Sequence, residues 1–142
     1  MEVKLFTNEI TINSNSNHVK DIIVNIENLL KWNHEISDIS SIDNNQFIIL
    51  RRGAALNKQE IVSVYSNNDI VSYVFTTGTV EYRVDWLISQ VKLNTTRVSQ
   101  TLYLKEKNAF LPIAQLIKPI TQNAFRDNLS ALRILCEQGE FI

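Results

Sequence analysis

Two short stretches bring together side chains of the kind that move protons. His34, Glu35 and Asp38 follow closely on Trp32, and Glu81, Arg83 and Asp85 alternate along one segment. An imidazole or a perturbed carboxylate near neutral pH is the usual general acid or base. The first set therefore has the composition of an acid–base site, and His34 is its one candidate catalytic histidine. No second base or nucleophile is fixed beside it in sequence, so an exposed histidine is the plainer reading. The second set alternates with Val84 and Tyr82, as residues on one face of a strand do, and reads as a surface charge ladder. Tyr65, Tyr73 and Tyr82 add three hydroxyls that can orient a polar group.

Other chemistry is poorly supplied. His18 and His34 stand apart, with no HxxxH, HxH or CxxC spacing, and Cys136 is the only cysteine. That gives no metal ligand set and no internal disulfide. There is no GxGxxG and no phosphate loop, so no cofactor is expected. The formal net charge of -1 offers no field for phosphates, and Arg51 and Arg52 read as a solvated strand end. Nucleic acid is a poor partner on these grounds.

These residues need a scaffold. The chain of 142 residues, 44% hydrophobic and 20% charged, has the size and balance of one globular domain, taken here as 1–142. No run reaches about 18 apolar residues, and the first segment alternates instead of forming a secretory h-region. A cytoplasmic location and a monomer or homodimer are the expectations.

Residues 2–13 read as a first strand with Phe6, Ile10 and Ile12 on one face. The Asn/Ser run 13–17 supplies N-caps for a helix carrying Val19, Ile22, Ile23, Ile26, Leu29 and Leu30, followed by a second short helix or turn at 31–33. Alternating or β-branched runs then predict strands near 36–42, 46–52, 57–66, 70–77, 80–91 and 97–107.

Register follows from the turns. Gly78 at the first central position of Thr77-Gly78-Thr79-Val80 suits a type II′ hairpin with positive φ at the glycine. That turn pairs Phe75 with Tyr82, Tyr73 with Val84 and Val71 with Trp86, and puts Ser72, Val74, Arg83 and Asp85 on the opposite face. A loop centred on Asn68 would add Tyr65, Ser63 and Ile61 to the aromatic face, and one centred on Asn94 would set Trp86 near Leu102 and Val84 near Leu104. The inward face so built is apolar and aromatic, without carboxylate, Lys or His. From Phe110 to Cys136 an apolar stripe recurs at spacings of three and four, through Ile113, Ile117, Ile120, Phe125, Leu129 and Leu132 and widened by Leu111, Leu116 and Leu135. It predicts a terminal helix of about 28 residues, broken near 115–119 where Pro119 removes a hydrogen bond and clashes.

Strand, helix, short helix, meandering strands and long terminal helix make an α+β arrangement. In this order the sequence resembles the Bet v 1-like, or START-like (SRPBCC), superfamily, and among its branches the small bacterial polyketide cyclase/dehydrase-like proteins. The resemblance covers nearly the whole chain. It rests on Ile10-Thr11-Ile12 running into a helix begun after Asn17, on Glu27-Asn28-Leu29-Leu30-Lys31-Trp32, and on the closing run from Phe125 to Leu132. It implies a helix-grip fold, in which about seven curved antiparallel strands wrap the terminal helix, with two short helices after the first strand. It also implies a cavity for lipids, polyketides or other apolar molecules.

Joined to the predicted inward face, the resemblance gives a ligand site formed by Trp32, Tyr65, Tyr73, Phe75, Tyr82, Trp86, Leu102, Ile117, Phe125 and Leu129. Phe75, Tyr82 and Trp86 form the wall, Ile117, Phe125 and Leu129 the lid, and Tyr65 and Tyr73 orient the ligand's polar end. The leading expectation is a binder of a small apolar or amphipathic ligand, without catalysis and with no metal. Two others stand beside it. One is a cyclase or dehydratase using tyrosine hydroxyls and His34, and the other is a protein-interaction or stress-regulatory module with a filled core.

Overall fold

Seven strands form one antiparallel sheet in the order β1-β7-β6-β5-β4-β3-β2. They are β1 (Glu2–Ile12), β2 (Ile36–Ser41), β3 (Gln46–Arg51), β4 (Gln59–Asn67), β5 (Ile70–Thr76), β6 (Tyr82–Lys92) and β7 (Thr95–Lys105). Between β1 and β2 lie α1 (Ser16–Val24), a 3-10 turn at Ile26–Asn28 and α2 (Leu29–Trp32). The chain closes with α3 (Leu111–Leu116) and α4 (Lys118–Gly139). The structure, a computed structural model, describes residues 2–52, 57–78, 80–105 and 111–139. Thr79 and Phe110, assigned to the hairpin turn and the helical stripe, lie outside them, as do positions 106–107 of the last expected strand and the side chains of Leu111 and Ile113.

The architecture is the expected one: a helix-grip arrangement in which α4 packs on β1 and α1 on the central strands β4 to β7. The side chain of Asn15 accepts a hydrogen bond from the His18 backbone N–H at 2.9 Å and caps α1, which starts at Ser16, ahead of the expected point. A bulge at Leu5 lets both Leu5 and Phe6 turn inward from β1, at 4% exposure each.

The β5–β6 ladder has the expected register, with Phe75 opposite Tyr82, Tyr73 opposite Val84 and Val71 opposite Trp86. The turn joining them is different. Positive φ falls on Thr77, at 67°, and on no described glycine. Gly78 is required by space instead: a Cβ there would lie 2.3 Å from Asn57 Cγ. The Asn57 amide fills that position because it bonds both the N–H and the C=O of Val80, at 2.9 and 2.7 Å.

Two other registers depart from expectation. Asn67 pairs with Ile70 across a two-residue turn at Asn68 and Asp69, where Asn68 takes φ 53°. This even turn reverses the faces of β4. Val62 faces the interior opposite Phe75, Glu60 comes in beside it, and Tyr65 is 52% exposed. Between β6 and β7 the turn at Leu93 and Asn94 is also even, but a bulge near Val91 restores the parity, so the faces are right and the register is two residues off. Trp86 stands opposite Gln100, not Leu102, and Val84 opposite Leu102.

The helix breaks at Ile117, where the sequence placed a break, and Pro119 sits in the first turn of α4 with no amide hydrogen to lose. The break also ends the stripe there, leaving Leu116 and Ile120 at 82% and 73% exposure. Further along, Leu129, Leu132 and Cys136 are fully buried. Among the described residues no helix is long and apolar enough to cross a membrane.

Candidate functional site: a cavity with an ionic end

Between the concave sheet and the break in the terminal helix lies a cavity of about 340 Å³. That falls in the range of small-molecule sites. The filled interior expected of an interaction module is not what the chain builds.

The sheet supplies the broad wall. Side chains two apart on a strand share a face, so β5 presents Tyr73 and Phe75, and β6 presents Tyr82, Val84 and Trp86. Phe75 and Tyr82 are stacked with ring centroids 4.4 Å apart. Trp86 meets Trp32 of α2 edge-on at 5.4 Å and Tyr73 at 5.6 Å. Opposite them, Ile117, Ile120, Thr121, Ala124, Phe125 and Asn128 line the side formed by the terminal helix.

Of the residues expected at a ligand site, Trp32, Tyr73, Phe75, Tyr82, Trp86, Ile117 and Phe125 lie on the cavity wall. Leu102 and Leu129 do not: both are fully buried core residues behind the lining. Tyr65 points away on the outer face for the register reason given above. Tyr73 is on the wall, but its hydroxyl donates to the Ile23 carbonyl and cannot orient a ligand. His34 is exposed and absent from the lining, so the acid–base set at 34–38 is not assembled.

The other end of the cavity is ionic, which the sequence reading excluded. Arg51, read as a solvated strand end, continues the inward face of Phe47 and Ile49 in β3, and its side chain is only 6% exposed. Its Nε donates to Glu60 Oε1 at 2.8 Å, and Glu60 is completely buried. The second Glu60 oxygen accepts from Asn57 Nδ2 at 2.9 Å. Arg51 Nη2 reaches the Tyr82 hydroxyl at 3.4 Å, and Nη1 lies 3.7 Å from Glu35 Oε2, whose side chain is 43% exposed. Arg51, Glu35 and Tyr82 all line the cavity.

The chemistry of this end follows from its surroundings. Burial works against the Arg51 charge, but Tyr82 and Glu60 outweigh it and hold the guanidinium above its ordinary range. Burial, with Glu60 assisting, pushes the Tyr82 hydroxyl well up, and burial alone does the same to Tyr73. The corner therefore keeps a permanent cation beside one reluctant acid, Tyr82. Its guanidinium can donate hydrogen bonds to an oxygen.

Further polar atoms lie around the hollow. Gln100, buried on the wall, accepts from Asn8 Nδ2 at 3.0 Å and donates to the Phe125 carbonyl at 3.3 Å. Gln122 and Arg126 also reach Asn8 Oδ1, at 3.2 and 3.3 Å, tying the middle of α4 to β1. The indole N–H groups of Trp32 and Trp86 are buried and have no hydrogen-bond partner among the described residues. Among the described residues no group of three His, Cys, Asp or Glu side chains is placed to hold a metal.

No family model matches the chain, and no curated protein matches it. Solved structures do. A START superfamily protein from Mycobacterium smegmatis superposes with TM-score 0.73 at 15% identity, covering 96% of this chain and 97% of that one. A conserved protein from Geobacillus kaustophilus gives TM-score 0.76 at 12% identity over 93% and 94% of the two chains. The Zhui aromatase/cyclase from a Streptomyces species gives 0.73 at 8% identity over 97% and 95%. At such identities the likeness is one of fold.

Proposed function

We propose that this chain, whose fold is the helix-grip fold of the Bet v 1-like, START-like superfamily, holds a small amphipathic molecule in its cavity. An apolar body lies along Phe75, Val84 and Trp86, and an oxygen-bearing end meets Arg51. The observation that carries this reading is the Arg51 side chain, almost wholly buried on a cavity wall, whose hydrogen bonds among the described residues come from Nε and, at long range, from Nη2. A guanidinium has five N–H groups, of which the structure engages Nε firmly and Nη2 at long range. The indole N–H groups of Trp32 and Trp86 on the same wall, unpartnered among the described residues, add to the case for acceptor-rich ligands.

Holding fits these groups better than transforming. The enzymatic alternative used His34, which stands outside, and tyrosine hydroxyls that burial keeps protonated or that are spent on backbone. A cation and a high-pKa hydroxyl can grip a carbonyl through hydrogen bonds alone.

The test uses the chain's own tryptophans. There are two, Trp32 and Trp86, and both line the cavity. Titration with methyl octyl ketone is expected to give a saturable change in their emission and a one-to-one adduct in native mass spectrometry. In the doubly substituted Arg51→Met, Glu60→Leu chain, which leaves no orphaned charge, affinity for the ketone should fall about tenfold while affinity for decane holds. No saturable signal and no adduct from either ligand would overturn the proposal.

A further inference from the structure

We propose that Glu35 sets the charge preference of the cavity, accepting ligands whose polar end is an uncharged oxygen and turning away carboxylates. This rests on the binding reading above and adds to it the class of ligand.

The argument begins with charge. Arg51 contributes one positive charge to the ionic end, and Glu60 cancels it through a 2.8 Å bond in a fully buried position. Both Glu60 oxygens are engaged, one by Arg51 and one by Asn57, so Glu60 does not leave. Glu35 then makes the corner net negative. It is not bonded tightly: 3.7 Å is an ion-pair distance and too long for a hydrogen bond. Arg51 Nη1 thus keeps donors for a ligand oxygen while the carboxylate beside it repels a second negative charge.

The position of Glu35 is fixed by its backbone. Its N–H donates to Asn33 Oδ1 at 3.1 Å, and its carbonyl accepts from the Arg52 N–H at 2.6 Å. The side chain lines the cavity and is 43% exposed, which places it between solvent and Arg51. A ketone, ester, amide or alcohol oxygen reaching Arg51 adds no charge. A carboxylate would be the third around one already neutralised guanidinium. Two like charges a few ångströms apart at partial exposure are worth about tenfold in affinity.

Methyl octyl ketone and decanoate, which share a ten-carbon skeleton, separate the cases. Titrated at pH 8, the wild-type chain should bind the ketone about tenfold more tightly than the carboxylate. Glu35→Gln should raise decanoate affinity relative to the ketone about tenfold, and Glu35→Lys should carry that ratio further the same way. A merely structural role for Glu35 would move both ligands together. Binding of both with a ratio that Glu35→Gln leaves unaltered would overturn this proposal alone. Silence from both ligands in every variant would overturn the binding reading, and this one with it.

Discussion

The two faces of one sheet carry two arginine clusters of nearly the same composition. On the outer face Arg83 bonds Glu2 at 2.7 and 3.1 Å, pairs with Asp85, and lies over the Tyr103 ring at 4.3 Å. On the inner face Arg51 lies between Glu60 and Glu35 and touches the Tyr82 hydroxyl. The arginine side chains are 28% and 6% exposed. Water screens the first set and reduces it to modest surface pairing. The second set is buried against a hollow, where in the proposed role a ligand oxygen would meet the arginine. The outer set includes neighbours on one strand, which made it conspicuous in sequence. The inner set comes from residues 35, 51, 60 and 82, which only the fold brings together.

The largest effect that would test this contrast is on stability. Glu60→Leu strands Arg51 in the interior and should cost about 3–5 kcal/mol in urea denaturation, most of it restored by adding Arg51→Met. A loss below about 1 kcal/mol would mean that water already reaches the inner pair. Alkaline titration comes next. Tyr73 and Tyr82 have folded pKa values raised above the unfolded value of about 10, so the folded state keeps protons that the unfolded chain releases. Their contribution is intact below about pH 10 and shrinks above it, by up to about 1.4 kcal/mol per pH unit for each tyrosine. Stability flat from pH 9 to pH 11 would contradict the burial of both hydroxyls. Smallest is Arg83→Ala on the outer face, expected to cost at most about 1 kcal/mol and less in high salt. If it destabilised the chain as much as Glu60→Leu, exposure would not be what separates the clusters.

How far the sequence foretold this molecule depends on how sharply each strand contrasts its faces. The segment from Val71 to Trp86 alternates rings with charges, so one register was clearly best and the pairing is as expected even though the turn is not. β4 has no such contrast: Ile61, Val62, Val64 and Tyr65 put apolar groups on both parities. The run Asn67-Asn68-Asp69 allows a loop of either parity. The wrong choice turned Tyr65 inward and Glu60 outward, and the ionic end disappeared with it. Arg51 was hidden for a related reason, since the apolar run 47–50 does not say which face the arginine ending β3 continues. Side chains of the terminal helix were placed well where the stripe is unbroken, and less well beside Ile117, where the break changes the phase.

The glycine at 78 has a reach out of proportion to its size. Its bare α-carbon leaves the gap in which the Asn57 amide lies, and that amide grips Val80 on one side and steadies the buried acid on the other. A methyl group at the hairpin would push the amide aside, slacken the acid's second oxygen, and alter how firmly the guanidinium is held. A hairpin position outside the cavity lining thus reaches the charged corner through one amide, and under the proposed binding role a substitution there would be read first as altered ligand preference.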